Sequence, residues 1–215
     1  MNDTETGRFI TFEGGEGAGK STQVSRLAAA LGSAGKTVVS TREPGGSEAA
    51  EEIRRLLVSG AVDRWQPDTE ALLHNAARVE HVAGVVRPAL GAGKWVISDR
   101  FHDSTLAYQG YGHGLDPDRV AALHALIFGD FRPDLTLILD LPVADGLART
   151  QGRDGAEDRY ERMSRDFHER LREGFLAIAR AEPDRCVVID ATADEDSVHA
   201  RVLAVVEERL RAGLD

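Results

Sequence analysis

The residues best suited to chemistry lie together in one octapeptide near the start of the chain. It reads Gly14-Gly15-Glu16-Gly17-Ala18-Gly19-Lys20-Ser21 and matches the phosphate-binding pattern G-x-x-x-x-G-K-[ST] at every fixed position. Glycines let such a loop turn its backbone N–H groups toward phosphate oxygens, and a helix that starts there adds partial positive charge. In this pattern the ammonium group of Lys20 binds the β- and γ-phosphates, and the hydroxyl group of Ser21 binds Mg²⁺.

The flanking segments distinguish a functional loop from a glycine-rich turn that matches by accident. Phe9-Ile10-Thr11-Phe12 is apolar and β-favouring enough for a buried strand, and apolar residues recur at helical spacing from Val24 to Leu31. Strand, loop and helix in this order are the context that the pattern requires. The flanks therefore favour phosphate binding.

Two other segments place charged residues where strands are predicted to end. The strand Thr37-Val38-Val39-Ser40-Thr41 runs into Arg42-Glu43-Pro44-Gly45-Gly46, and Trp95-Val96-Ile97 runs into Ser98-Asp99-Arg100. Ligands of open α/β folds bind beyond the carboxyl ends of the strands, so both turns should lie beside the phosphate loop. Asp99 could hold a hydrated Mg²⁺ and Arg100 a phosphate, or the two could pair with each other. The strand-end position favours the first interpretation.

Two predicted helices carry further candidates. On the first, which Ser47 can cap, Arg54 and Arg55 leave the apolar stripe on different sides, and a solvated side chain is the simpler interpretation for each alone. On the second, longer helix, His74 and Arg78 are four residues apart and share a face. The inward stripe of the first helix comprises Ala49, Ile53, Leu56 and Leu57, and the apolar residues at helical intervals on the second are Leu72, Leu73, Ala76, Val79, Val82, Val86 and Leu90.

Two segments in the second half have unusual compositions. Phe101 to Gly114 is rich in small polar and aromatic groups, which suit recognition of a flat polar ring, although an exposed helix with a glycine-rich exit is the alternative. After a short helix that reaches Arg149, residues 150–159 are polar, broken by glycine and charged with both signs. That composition is typical of a mobile lid, or of a plain solvated loop.

Composition excludes several classes of protein. A net charge of -10 on 215 residues argues against a general DNA- or RNA-binding protein, which would carry a basic face. Cys186 is the one cysteine, so an internal disulfide or a cysteine-based zinc site is excluded, and its apolar neighbours predict a buried strand position. No apolar run approaches membrane-spanning length, and the first seven residues lack the basic and apolar regions of a signal peptide. The cytoplasm is therefore the expected compartment, with no membrane partner.

Five predicted strands alternate with helices along the chain, the last two strands being Leu135 to Asp140 and Cys186 to Asp190. Nearly continuous apolar character indicates strands covered on both faces, as in a parallel sheet. We therefore expect a three-layer α/β fold of the P-loop NTPase class, with a five-stranded parallel sheet and helices on both faces. A disordered tail would occupy residues 1–7, a single domain residues 8–215, and a lid residues 149–160.

A phosphate loop alone leaves three classes of enzyme open. A GTP-dependent switch would carry an Asn-Lys-x-Asp guanine reader, but neither Asn2 nor Asn75 precedes a lysine. A motor or clamp-type ATPase usually needs a longer chain and partner modules. A small kinase that phosphorylates a second small phosphate compound fits best, because two arginine-bearing turns converge on the loop and a candidate lid follows.

Four segments together resemble the successive signatures of bacterial thymidylate kinases, a family of nucleoside monophosphate kinases. They span Phe12 to Ser21, Thr41 to Gly46, Ala76 to Arg78 and Asp99 to Gly110. The last segment contains Asp-Arg-x-x-x-Ser-Thr-x-Ala-Tyr-Gln, which is far more specific than the phosphate loop. The resemblance extends from Arg8 to the last predicted helix.

The resemblance implies phosphorylation of dTMP to dTDP by Mg-ATP, in a homodimer. It implies that Glu16 contacts the sugar 3′-hydroxyl, that Arg54 and Arg100 hold the acceptor phosphate, and that Arg78 addresses the thymine carbonyl. The other implied acceptor residues are Pro44, His74, Thr105, Tyr108 and Gln109. On the donor side the resemblance implies the loop from Gly14 to Ser21, Arg149 over adenine, Thr192 along its other side, and Ser21 with Asp99 at the metal. Implied catalytic residues are Lys20, Arg100, Glu16 and, because the phosphate loop has no arginine, the lid residue Arg153.

One position departs from the family pattern. Many members carry a phenylalanine stacked on thymine one helical turn before the arginine, where this chain has His74. An imidazole can also stack, or Phe101 or another aromatic side chain contributes instead. A kinase for another nucleotide or a deoxynucleoside, and a nucleotide-binding sensor without turnover, are the alternative functions.

Overall fold

The computed structural model of the protein describes residues 7–150 and 158–214. Within these ranges five parallel strands form one sheet with the order β2-β3-β1-β4-β5. The strands are β1 Phe9–Glu13, β2 Val38–Arg42, β3 Trp95–Asp99, β4 Leu135–Asp140 and β5 Cys186–Asp190. The predicted parallel sheet is confirmed, as is the buried strand position of Cys186.

Helices connect these strands. Their bounds are α1 Lys20–Ser33, α2 Glu48–Leu57, α3 Pro67–His81, α4 Arg87–Gly91, α5 His102–Thr105, α6 Pro117–Phe128, α7 Val143–Thr150, α8 Arg165–Ala181 and α9 Glu195–Leu210. Two π-helical segments, Val82–Val86 and Leu106–Gly112, follow α3 and α5. None of these helices combines the length and apolar character that a bilayer crossing requires.

The two faces of β1 build two cores. Ile10 and Phe12 pack with Leu27 of α1 and Val202 of α9, whereas Phe9 points to the other side and packs with Val86. Each is at most 1% exposed, and burial of such a side chain stabilises the fold by roughly 1.5–3 kcal/mol. The three-layer arrangement with helices on both faces is confirmed.

The long helix predicted after the connection at residues 60–68 is confirmed as one continuous helical run from 67 to 91, with a π-helical turn inside it. It consists of α3, the π-helical segment Val82–Val86 and α4. Pro88 lacks a backbone N–H, and its ring crowds the carbonyl group four residues earlier. A wider helical turn directly before it accommodates both effects.

The buried face of α3 is polar. The polar side chains of Asn75, Arg78 and His81 are buried at helical spacing, whereas Leu72 is 56% exposed and Val79 is 39% exposed. The apolar residues at helical intervals therefore do not mark the inward face of α3, because that face lines a polar site. On α2, Ala49 and Leu56 of the predicted stripe are exposed, and Ala50 and Leu57 are buried.

Two imidazole rings, one on α5 and one on α6, stack on each other. The ring centroids of His102 and His124 are 3.9 Å apart with an interplanar angle of 19°, and Nδ1 of each ring is buried without a hydrogen-bond partner. Burial lowers the pKa of His124 to about 4 and holds the pKa of His102 well below its usual value. Both rings are therefore neutral in the folded protein at pH 7.

Acid should destabilise the fold through this pair. Because each ring takes up a proton on unfolding below its ordinary pKa of 6.5, the free energy of unfolding should fall as pH decreases from 6.5 toward 4. The loss can reach about 1.4 kcal/mol per pH unit for each histidine. Urea unfolding at pH 7.5 and 5.5 measures it. His124→Gln, which keeps a donor for the Phe131 carbonyl, should show a smaller loss; an equal loss would contradict this account.

Candidate active site

A cavity of about 690 Å³ opens where β1, β2 and β3 end. The elements that the sequence places at this edge meet there, because parallel strands bring their carboxyl ends together. The predicted residues in its lining are Glu16, Gly17, Ala18, Gly19, Lys20, Ser21, Pro44, Arg54, His74, Arg78, Asp99, Arg100, Thr105, Tyr108, Gln109 and Arg149.

The glycine loop between β1 and α1 has the backbone that phosphate binding requires. Gly14, Gly17 and Gly19 have φ angles of 131°, 70° and 87°, which favour glycine. The loop also touches α7 without side chains. A Cβ atom on Gly17 would lie 2.1 Å from the Gly146 carbonyl oxygen, and one on Gly146 would lie 2.4 Å from the Glu16 carbonyl oxygen.

Two cations meet at the start of this loop. Nζ of Lys20 donates to the carbonyl oxygens of Gly14 at 3.1 Å and Gly15 at 2.7 Å, and a guanidinium nitrogen of Arg100 donates to the same Gly14 oxygen at 3.0 Å. Burial and the nearby Arg100 charge lower the pKa of Lys20 to about 8. The site therefore concentrates positive charge where phosphates would lie.

The Arg100 backbone adopts an uncommon conformation. Its φ of 74° is in the left-handed region, which costs a non-glycine residue of order 1–3 kcal/mol. Glu13 holds the turn in place. One of its carboxyl oxygens accepts from the Phe101 amide at 2.7 Å, and the other accepts from Ser104 Oγ, which in turn accepts from Arg100 at 3.0 Å.

Glu16 is the acid of the loop. Tyr108 OH donates to its carboxylate, and Arg100 pairs with it at 3.1 Å. Burial alone would raise the pKa of Glu16, but the Arg100 and Lys20 charges lower it to about 2. An ionised carboxylate beside Tyr108 can accept a hydrogen bond from a sugar hydroxyl.

Asp99 contacts Ser21 and does not pair with Arg100. Ser21 Oγ donates to Asp99 Oδ2 at 2.6 Å across the end of β1 and β3. This excludes the alternative that Asp99 and Arg100 merely neutralise each other, since Arg100 pairs with Glu16. A hydroxyl and a carboxylate oxygen this close offer ligands of the kind that Mg²⁺ prefers.

The far wall of the cavity contains a fixed arginine. Arg78 is 1% exposed, and its Nε donates to Glu43 at 2.7 Å. The same guanidinium group donates to the Phe101 carbonyl and to Thr105 Oγ1, while His81 holds the other Glu43 oxygen. Burial would raise the pKa of Glu43, but Arg78 and His81 lower it.

The remaining acceptor-side residues are also held by specific contacts. Arg54 donates to the Pro44 carbonyl at 2.7 Å, beside a cis Glu43–Pro44 peptide bond. Gln109 Nε2 donates to buried Glu70 at 2.8 Å, and His74 Nε2 lies 2.8 Å from the hydroxyl of Tyr160.

Three expectations need correction or lie outside the described residues. The exposed Thr192 bonds to Asp190 through its amide and hydroxyl group instead of lining the cavity; the Ala191 carbonyl instead accepts from Arg149 at 3.5 Å. Arg159, predicted within a polar lid, is fully buried and pairs with Glu70 at 2.6 Å. Arg153 and the rest of residues 151–157 lie outside the described residues, as do residues 1–6.

Sequence reasoning missed several residues that shape the site. Glu13, Glu43 and Glu70 are buried acidic residues that contact site residues, and Tyr160 lines the cavity. Glu43 could have been predicted as a site residue, because an acidic residue between a strand end and a proline suggests a local partner. Glu70 and Tyr160 lie in segments far apart in the chain, and no local pattern links them.

Removal of the Glu43 carboxylate tests whether it fixes the buried Arg78 guanidinium group. Glu43→Ala leaves the Arg78 guanidinium buried without its carboxylate, which should lower the free energy of unfolding by about 3–5 kcal/mol. Urea unfolding measures the change. Glu173→Ala is the matched control, because Glu173 and Arg180 form an equally short pair at 2.6 Å with both side chains 64% exposed, and it should change stability by less than about 1 kcal/mol. Equal losses in the two variants would contradict the assigned role.

Comparisons with known proteins identify the family of this chain. The family model described as thymidylate kinase matches residues 12–202. A thymidylate kinase of Caulobacter vibrioides is 57% identical over 95% of this chain and 98% of its own, and one of Rhizorhabdus wittichii is 50% identical over 95% and 99%. The crystal structure of thymidylate kinase from Ehrlichia chaffeensis is similar with a TM-score of 0.75 and 37% identity, over 93% of this chain and 98% of that one. The chain therefore belongs to the thymidylate kinase family and has its P-loop fold.

Proposed function

We propose that this enzyme transfers the γ-phosphoryl group of ATP to the phosphate of dTMP, giving dTDP and ADP. The observation that carries the proposal is the contact of Lys20 and Arg100 with one oxygen, the carbonyl oxygen of Gly14. Lys20 belongs to the phosphate loop and Arg100 to the turn after β3. Two nucleotides that met over this point would place both reacting phosphates against neighbouring cations.

The chemistry requires positioning and charge neutralisation. The acceptor phosphate is already ionised near neutral pH, so no strong general base is needed. Lys20 binds the terminal phosphates of ATP, and Arg100 and Arg54 hold the acceptor phosphate. We infer that Arg153 reaches the transferred group from a lid between α7 and α8, and that lid closure excludes water and suppresses hydrolysis of ATP.

Mg²⁺ is the proposed metal. Ser21 Oγ and Asp99 Oδ2, 2.6 Å apart, would hold it directly or through water. The described residues contain no group of three or more His, Cys, Asp or Glu side chains that could enclose an ion, which suits a cation bound mainly by nucleotide phosphates. When bound, the ion neutralises charge on the β- and γ-phosphates.

The two nucleotides are proposed to occupy opposite parts of the cavity. On the acceptor side Glu16 and Tyr108 face the sugar, and Arg78 faces a carbonyl oxygen of thymine. The remaining acceptor contacts are assigned to Pro44, His74, Thr105 and Gln109. On the donor side Arg149 lies over adenine, supported by its contact with the Ala191 carbonyl.

We also propose a homodimer. Exposed apolar side chains occur on three helices, namely Leu56 on α2, Leu72 and Val79 on α3, and Leu126 and Ile127 on α6. Leu72 and Val79 are seven residues apart and share a face, and α3 packs against both α2 and α6. Side chains as exposed as Leu126, at 83%, are stabilised when a second copy covers them.

Residues 8–215 are proposed to act as one kinase domain in the cytoplasm. The sheet draws strands from Phe9 to Asp190, so the described chain contributes to one layered structure. ATP and a deoxynucleotide are small cytoplasmic metabolites, and no nucleic acid or membrane partner is proposed.

A coupled assay with ATP tests the substrate. Turnover should be highest with dTMP in a panel that also contains dUMP, dCMP, dGMP and thymidine. Lys20→Ala and Arg153→Ala should each lower kcat by about a hundredfold or more, because each removes a cation from the reacting phosphates, while circular dichroism shows the fold intact. Preference for another acceptor would overturn the assignment, and absence of any turnover would favour the sensor.

Sedimentation analysis tests the dimer. Leu126→Asp places a charge in the proposed interface, so the protein should sediment as a monomer. Val188→Asp is the control, since Val188 is an exposed apolar residue of β5, outside the three helices of the proposed surface, and that variant should remain dimeric. A wild-type monomer, or two variants that behave alike, would contradict the proposed surface.

A further inference from the structure

A chain of hydrogen bonds connects Glu70, Tyr160 and His74 at one side of the cavity. Tyr160 OH donates to Glu70 Oε1 at 2.7 Å, and the same hydroxyl oxygen is 2.8 Å from Nε2 of His74. Glu70 is fully buried, and Tyr160 and His74 both line the cavity. The chain therefore connects a buried carboxylate to a ring in the acceptor pocket.

The proton positions along this chain follow from the charge of Glu70. Burial would raise the pKa of Glu70, but the nearby His113 imidazole, 3.5 Å away, and hydrogen bonds from Arg159 and Tyr160 lower it to about 2. An ionised carboxylate only accepts hydrogen bonds, so the Tyr160 proton lies on its bond to Glu70. The Tyr160 oxygen can then only accept from His74, and Nε2 of His74 must carry a proton.

The protonation state of Nδ1 of His74 follows from that of Nε2. Burial lowers the pKa of His74 to about 4, so the ring is neutral at pH 7 and holds one proton. Nδ1 then has a free lone pair. Among the described residues Nδ1 has no hydrogen-bond partner, and it is not enclosed by protein as the unpaired nitrogens of His102 and His124 are.

Tyr160 is well fixed for such a role. Its ring meets the Tyr108 ring edge to face at 5.2 Å. The preceding residue, Arg159, donates to the carbonyl oxygens of Leu57, Ala61 and Val62 and to Glu70. The hydroxyl group therefore stays at a fixed point beside His74.

We propose that Tyr160 is a positioning residue of the acceptor pocket. Together with Glu70 it holds His74 in the form protonated at Nε2, so that Nδ1 accepts a hydrogen bond from an N–H group of the acceptor base. In thymine that group is N3–H, and this last step rests on the proposed function. His74 thus contributes a directed polar contact that a phenylalanine at this position could not make.

The proton assignment is tested on the free protein by long-range ¹H–¹⁵N NMR of the histidine rings. The spectrum of His74→Phe identifies the His74 signals by their loss. In the wild type, Nδ1 of His74 should show the shift of an unprotonated nitrogen and Nε2 that of a protonated one. In Tyr160→Phe, which removes only the hydroxyl group, the two shifts should move toward an average of both neutral forms. A wild-type ring protonated at Nδ1, or no change in Tyr160→Phe, overturns the proposal.

Kinetics test the effect on the acceptor. Tyr160→Phe should raise the KM for dTMP about fivefold, the size of one lost hydrogen bond, with kcat changed less than about twofold and the KM for ATP unchanged. Tyr111→Phe is the matched control, because Tyr111 packs against Gly174 and does not line the cavity, and it should leave all three constants unchanged.

A double-mutant cycle separates positioning from direct contact. If Tyr160 acts through His74, adding Tyr160→Phe to His74→Phe should not raise the KM for dTMP further. An additive increase would show that Tyr160 acts on the ligand or the fold directly, and would overturn the proposal. If dTMP is not a substrate, the kinetic arm fails together with the proposed function, whereas the NMR result still decides the proton assignment.

Discussion

The carbonyl oxygen of Gly14 accepts hydrogen bonds from both the ammonium group of Lys20 and the guanidinium group of Arg100. The rest of the site depends on this contact. Two cations so close repel each other, and together with burial the Arg100 charge lowers the pKa of Lys20. The ionised Glu16 offsets this repulsion by pairing with Arg100. Strands β1 and β3 are neighbours in the parallel sheet. The phosphate loop after β1 and the Arg100 turn after β3 therefore lie side by side, and their charges are balanced at this contact.

Buried ion pairs hold one wall of the cavity in shape. Arg78 with Glu43 and Arg159 with Glu70 are almost fully removed from solvent. Desolvation of such pairs costs about as much free energy as their attraction returns, so they add little net stability. Their effect is orientation, since a guanidinium group with several fixed partners has one geometry. This wall of the cavity is therefore preorganised, because protein partners already fix its guanidinium groups.

The sequence allowed the sheet, the glycine loop and the Asp99-Arg100 turn to be predicted because each is encoded within a few consecutive residues. The inward face of α3 could not be predicted from its leucines and valines, because it buries Asn75 and Arg78 against a site made by other segments. Tyr160 could not be predicted for the same reason, because its partners Glu70 and His74 lie 90 and 86 residues away in the sequence. Sequence patterns over a few residues predict local structure. A buried polar cluster depends on pairs of residues that are distant in the sequence, and no spacing rule identifies those pairs.

The direct contact between Gly17 and Gly146 has a mechanical consequence. With no side chain between the phosphate loop and α7, the two backbones cannot slide past each other, and a shift of one displaces the other. Arg149 lies three residues beyond Gly146 on the same helix, so a shift of the loop would also move the backbone of Arg149. A side chain at either glycine would have to push the loop and the helix apart, so the pair couples the movements of the two elements.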